Sequence, residues 1–156
     1  MRRLMFRIIR TVLLAGIVLL VAAQMIPYGR SRTNPPVVAE PRWDSPMTRD
    51  LARRACFDCH SNETEWPWYS RVAPVSWLVA WDVQEGRAVL NVSEWQRPQE
   101  EAREAAETVT EGEMPPRLYT LMHAHARLSD SERAALVSGL TATLGPASAA
   151  GAERSR

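Results

Sequence analysis

The sequence predicts a small, mainly α domain preceded by an N-terminal membrane helix. Three observations carry that expectation. Thr11 to Ile26 reads TVLLAGIVLLVAAQMI without a charge. Helix start and stop signals punctuate the chain from Ser45 to Gly145. No strand-like alternation, internal repeat or glycine-rich phosphate loop interrupts them. The 156 residues leave room for one domain of ~100 residues once both ends are set aside.

The leader comes first. Arg2, Arg3, Arg7 and Arg10 precede the uncharged run, and Leu4, Met5, Phe6, Ile8 and Ile9 extend its apolar character backward, so the basic end is expected inside and the remainder exported. The run is near the ~20 residues a spanning helix needs, while Val21-Ala22-Ala23 fits a small-residue cleavage site. Residues 1–27 therefore read as a retained anchor or a cleaved signal. Pro27 to Pro46 contains five prolines with Gly29, Ser31 and Asn34 among them; residues 28–46 read as an extended tether.

The domain proper is expected over 47–145. Ser45 as N-cap with Pro46 at the first helical position opens a helix in which Met47, Leu51, Ala55 and Cys56 recur at helical spacing. Trp66-Pro67-Trp68-Tyr69 argues for an irregular loop. Pro74 starts a second helix ending near Gly86, with Trp77 and Trp81 four residues apart on a face that could pack on a flat ring. A third, largely solvated helix is suggested between Pro98 and Glu111, stopped by Gly112, and Glu113-Met114-Pro115-Pro116 is a loop too proline-rich to be helical. The last helix is the clearest: Ser129-x-x-Glu132 is a capping box, Leu128, Leu136, Val137, Leu140 and Leu144 line an apolar face, and Gly145-Pro146 stops it. Residues 146–156 read as a disordered tail. All 18 acidic residues lie at or beyond Glu40, and from Tyr28 onward 15 Arg face 18 Asp and Glu. Nucleic-acid binding, which needs clustered basic charge in the folded part, is excluded.

Chemistry concentrates in Cys56-Phe57-Asp58-Cys59-His60, a C-x-x-C-H run in a chain with no other cysteine. That run is the attachment signature of a c-type haem: each thiol can form a thioether to a vinyl group, and the adjacent imidazole can ligate iron while its other ring N–H seeks a carbonyl. One covalent haem c is expected, held by Cys56, Cys59 and His60. In bacteria haem is joined to such a run outside the cytoplasmic membrane, which agrees with the exported reading. A domain this small buries little surface, so a porphyrin would supply much of its core. The competing reading is a zinc half-site, with Cys56 and Cys59 joined by two of His60, His123 and His125.

The sixth iron ligand is assigned to Met114, a soft thioether in a proline-bounded loop, with Met122, His123 and His125 as rivals. Methionine–histidine ligation suits electron transfer, whereas an open sixth position would permit peroxide or gas chemistry. Trp77, Arg87, Asn91 and Trp95 are candidate partners for the two propionates. Each reads equally well as core filler or surface charge, as do Tyr69 and Tyr119.

Several words extend the motif: Cys56-Phe57-Asp58-Cys59-His60-Ser61-Asn62-Glu63-Thr64, Trp66-Pro67-Trp68-Tyr69, Ala73-Pro74-Val75-Ser76-Trp77, Asp82-Val83 with Gly86-Arg87, Asn91 with Ser93, and Gly112-Glu113-Met114-Pro115. With them the stretch from Asn34 to about Leu144 resembles a family of bacterial haem-binding domains related to the small class I c-type cytochromes. The resemblance implies a cytochrome c-like helical domain around one covalent haem, tethered to the inner membrane and facing the periplasm, or free in it if the leader is removed. It carries the thioether and proximal roles to Cys56, Cys59 and His60, and the family's M-P methionine to Met114. The long tryptophan-rich insert after the motif departs from ordinary cytochromes c. Two function classes follow: a single-electron carrier with protein redox partners and no catalysis, or a haem-based enzyme or gas sensor with an open sixth position. A haem-delivery protein is a weaker third, since a permanent thioether does not let go.

Overall fold

The computed structural model describes residues 2–145; the tail expected to be disordered, 146–156, lies outside the described residues. Among the described residues the elements are helical throughout, and the only β pairing is an isolated bridge between Ala39 and Glu94. The mainly α class read from the sequence is the observed one. The chain divides into two compact units.

The first unit gathers the described residues up to Thr33 and Trp66–Asp82. Its helix α1, Arg2–Gln24, is long and apolar enough to cross a membrane and buries none of its residues against protein. Gln24, its last residue, exchanges hydrogen bonds with the backbone of Ala73: Nε2 donates to the Ala73 carbonyl at 3.0 Å and Oε1 accepts from the Ala73 N–H at 3.1 Å. Gly29 sits at φ +72°, and a Cβ there would lie 2.6 Å from the Ser76 carbonyl oxygen, so backbone conformation and close approach both demand glycine. The tryptophan-rich segment, expected to be irregular, holds a single 3-10 turn at Trp68–Arg71.

The second unit gathers Asn34–Glu65 and the described residues from Val83 on. Helix α2, Pro46–Ala55, begins as its sequence dictates, with Ser45 Oγ accepting from the Thr48 N–H and Pro46 in the first turn. The motif forms the short helix α3, Phe57–His60, directly after it. Helix α4, Val75–Val89, enters this unit at Val83 and runs past the expected stop at Gly86. That glycine is there for contact: a Cβ on it would lie 2.6 Å from the Cys59 carbonyl oxygen. Helix α5, Ala105–Glu111, is half the expected length, because residues 100–104 form turns. Helix α6, Arg117–Met122, leads through a 3-10 turn at Ala124–Ala126 into α7, Asp130–Leu144, which carries the full capping box.

Leu136 and Leu140 of α7 pack with Leu51, Ala52 and Ala55 of α2 and Val109 of α5, while Phe57, Leu90 and Val92 close the core. Gly139 lets α7 approach α2, since a Cβ there would meet Thr48 Oγ1 at 2.0 Å. The stretch read as a free tether is in part structured. Val38 and Ala39 donate to the Ser93 carbonyl, Asn34 Nδ2 donates to the Thr64 carbonyl, and Trp43 packs against the core. Its prolines discourage helix, but they leave an extended chain free to pair with a loop.

Candidate functional site

The second unit holds a cleft in the middle of its core. It opens to solvent at its mouth. Its wall is the hydrophobic core itself: Ala52, Ala55, Phe57, Leu90, Val92, Val109 and Leu140 belong to both. Cys56, His60 and Met114 also face it, with Glu101, Glu104 and Thr108 as polar members.

Each of these arrives by a local rule. The carbonyl of Cys56, the residue that ends α2, takes the N–H groups of Cys59 at 3.1 Å and His60 at 2.9 Å, winding the motif into one helical turn. His60 Nδ1 stands 3.0 Å from the Gly86 carbonyl and 3.1 Å from that of Leu90. Both neighbours only accept, so Nδ1 carries the proton and Nε2 keeps its lone pair for a metal. Burial holds the His60 pKa below its ordinary value, outweighing those two carbonyls and the nearby Glu101 carboxylate, and so favours the neutral imidazole that ligation requires. The apolar surroundings push the Cys56 thiol up to about 12. Cys56 and Cys59 are not joined in a disulfide.

Met114 reaches the cleft through the end of α5. Gly112 takes φ +77° as a left-handed cap, and the N–H groups of Glu113 and Met114 both return to the Thr108 carbonyl, at 3.0 and 3.1 Å. The Met114–Pro115 bond is cis. Met114 is 36% exposed, and of the residues weighed as sixth ligand it alone lines the cleft. Of its rivals, His123 stacks on Tyr119 at 4.2 Å and its Nδ1 meets the Tyr119 carbonyl, while Met122 and His125 face solvent. Among the described residues no group of three or more His, Cys, Asp or Glu is placed to hold a metal ion, so nothing in the structure supports the zinc half-site.

Cys59, Trp77, Arg87, Asn91 and Trp95 do not line the cleft. Arg87 Nε donates to the Ser61 carbonyl at 2.8 Å, and its Nη2 donates to Thr64 Oγ1 and Asn34 Oδ1. Asn91, almost wholly buried, donates to Asn62 Oδ1 and accepts from the Ser93 N–H. Asn62 Nδ2 continues the network to Pro36 and Glu94, and its N–H meets Ser93 Oγ. These residues brace the loop after the motif. Trp77 belongs to the first unit, where its indole N–H is buried without a partner among the described residues.

Sequence reading did not single out Glu101 or Asp58. Asp58, inside the motif, accepts from the Glu65 N–H at 2.8 Å and from the Tyr119 hydroxyl at 2.8 Å. Tyr119 is held neutral well above the ordinary tyrosine range by burial, with the Asp58 charge adding to it. An acidic residue between two motif cysteines, and a tyrosine followed four residues later by histidine, were the available signals.

A core-lined cleft presenting an imidazole nitrogen, a thiol and a thioether suits an apolar ring that carries iron. The comparisons agree. The model of a haem-binding domain family matches residues 18–142, while no curated protein and no solved structure matches the chain. That match spans most of the 156 residues and both units, and the chain belongs to the haem-binding domain family.

Proposed function

We propose that this protein is a membrane-tethered, cytochrome c-like carrier of single electrons, built around one covalent haem c outside the cytoplasmic membrane, and that it is not an enzyme. The observation that carries the reading is the cleft: one core-lined space faced jointly by Cys56, His60 and Met114. When bound, the haem supplies reversible one-electron chemistry. Cys56 and Cys59 would hold it through thioethers, and His60, oriented by the Gly86 and Leu90 carbonyls, would ligate the iron through Nε2. Met114 would take the sixth position, and the soft sulfur favours the reduced metal and raises the potential. Held by both His60 and Met114, the iron would be closed to substrate, which suits a carrier and disfavours peroxide or gas chemistry.

The test is optical. The oxidised protein is expected to show the far-red sulfur-to-iron charge-transfer band, and the reduced protein to ignore carbon monoxide. Met114→Ala should abolish the band and admit the gas. Survival of the band in that variant removes Met114 from the iron, and carbon monoxide binding to the unaltered protein removes the carrier reading. Pigment released by acidified acetone would remove the thioethers.

A further inference from the structure

The first unit presents an apolar surface that the haem site does not use. Trp68 is 76% and Trp81 54% exposed, and Val72, Val75 and Leu78 lie open with them. Val75, Leu78 and Trp81 follow one another at three-residue intervals on α4 and share a face. Tryptophan is among the more buried residue types on average, and exposed tryptophans in company with exposed aliphatic side chains mark an interaction surface.

The same unit says what covers it. Gln24, the last residue of α1, is bonded to Ala73 through both atoms of its amide, and Arg32 donates to the Ser70 carbonyl at 3.3 Å. The end of the apolar helix and the tryptophan-rich segment are therefore fastened side by side. At 1.5 Å per residue the 23 residues of α1 extend ~35 Å, enough to cross a ~30 Å hydrocarbon layer and bring Gln24 to its boundary. Met25, Ile26 and Tyr28 are exposed immediately beyond. Charge agrees: the unit contains seven arginines, three of them (Arg30, Arg32 and Arg71) outside α1, against a single acid, Asp82. Apolar aromatic surface beside basic charge at the end of a spanning helix matches the headgroup zone of an anionic bilayer.

We propose that the segment from Trp66 to Trp81 is an interfacial foot, seating Trp68, Val72, Val75, Leu78 and Trp81 in the headgroup layer of the bilayer that α1 crosses. The inference rests on the reading of α1 as a membrane span. The foot fixes the depth and tilt of the tether, as interfacial aromatic residues do in spanning proteins.

The test uses the full-length holoprotein in vesicles of phosphatidylethanolamine and phosphatidylglycerol. A benzophenone-bearing residue is placed separately at positions 14, 68, 81 and 121, and lipid adducts are read by mass after illumination, with retained haem absorbance as the check on folding. Leu14 lies in the middle of α1, and Leu121 is exposed on the second unit. Adducts at 14, 68 and 81 that exceed those at 121 several-fold are expected. Adducts at 14 with yields at 68 and 81 no higher than at 121 overturn the foot and leave the span standing. The lack of adducts at 14 removes the span, and the foot with it.

Discussion

At the level of single residues, Tyr119 and Glu101 make the site's electrostatics testable. The Tyr119 hydroxyl donates to Asp58 inside the motif, and burial beside that carboxylate raises its pKa above the unfolded value of ~10. The folded state therefore binds a proton that the unfolded state has lost, and stability present below about pH 10 declines as pH rises beyond it. Tyr119→Phe should cost about 1 kcal/mol at neutral pH and flatten that alkaline decline, as read by denaturant unfolding from pH 8 to pH 11; a decline as steep as in the parent protein would clear Tyr119 of responsibility. Glu101 lines the cleft and adds a favourable charge beside His60. A carboxylate near iron favours the oxidised metal, so Glu101→Gln should raise the reduction potential by about 1 kcal/mol, roughly 40 mV for one electron, while an unchanged or lowered potential would refute the assignment. The carbonyl partner of His60 was foreseeable because a C-x-x-C-H run has a rigid local spacing and a ligating imidazole needs an acceptor for its other ring N–H. The placement of Arg87 and Asn91 was not legible, since a loop brace and a propionate partner call for the same donors.

Among elements, what was readable depended on how local the determining forces are. Ser45-Pro46 and Ser129-x-x-Glu132 set the starts of α2 and α7 through contacts within one turn, and both appear as the residues dictate. Propensity alone overextended α5, because the stretch from Pro98 to Glu104 has no apolar face to bury and only Ala102 in it is drawn into the core. Gly86 misled in the opposite direction. As a helix breaker it signals an end, but α4 continues through it because a partner's backbone occupies the space of its missing side chain. That contact also brings the Gly86 and Leu90 carbonyls to His60. Gly86→Ala must move α4 from the Cys59 carbonyl, since neither backbone can yield cheaply, at a cost of ~1–3 kcal/mol. Haem content per chain should fall and the bound histidine's spectroscopic signature should broaden. Full haem loading with a sharp, parent-like spectrum would mean that the contact does not position the ligand.

For the whole molecule, the decisive fact is that the second unit's core and its cofactor cleft share one wall. Ala52, Ala55, Phe57, Leu90, Val92, Val109 and Leu140 each face both, and three of these seven belong to α2 or α7, the helices that Gly139 allows to pack closely. A protein interior is packed like an organic crystal, and lining atoms that face nothing lose their dispersion contacts and their shielding from water. A bound haem would complete the packing of that shared wall, and a sequence with an ordinary 46% of hydrophobic residues does not announce it. Under the proposed attachment, haem binding and completion of this unit's core are expected to be one event. In the double variant Cys56→Ser, Cys59→Ser, expressed so that no haem is retained, the volume of both side chains is nearly kept and the filling of the cleft is lost. A loss of about 3 kcal/mol, at the low end for an unfilled core void, corresponds to a fall in Tm of roughly 12–24 °C for a domain this size. Far-ultraviolet circular dichroism should persist because α2 and α7 carry their own caps, while the near-ultraviolet signal of Trp43 and Phe57, 6.1 Å apart at the core, should fade. A haem-free variant that keeps both its near-ultraviolet signal and a parent-like Tm would show that the helices settle without the porphyrin, and that the cleft is a pocket in a finished fold.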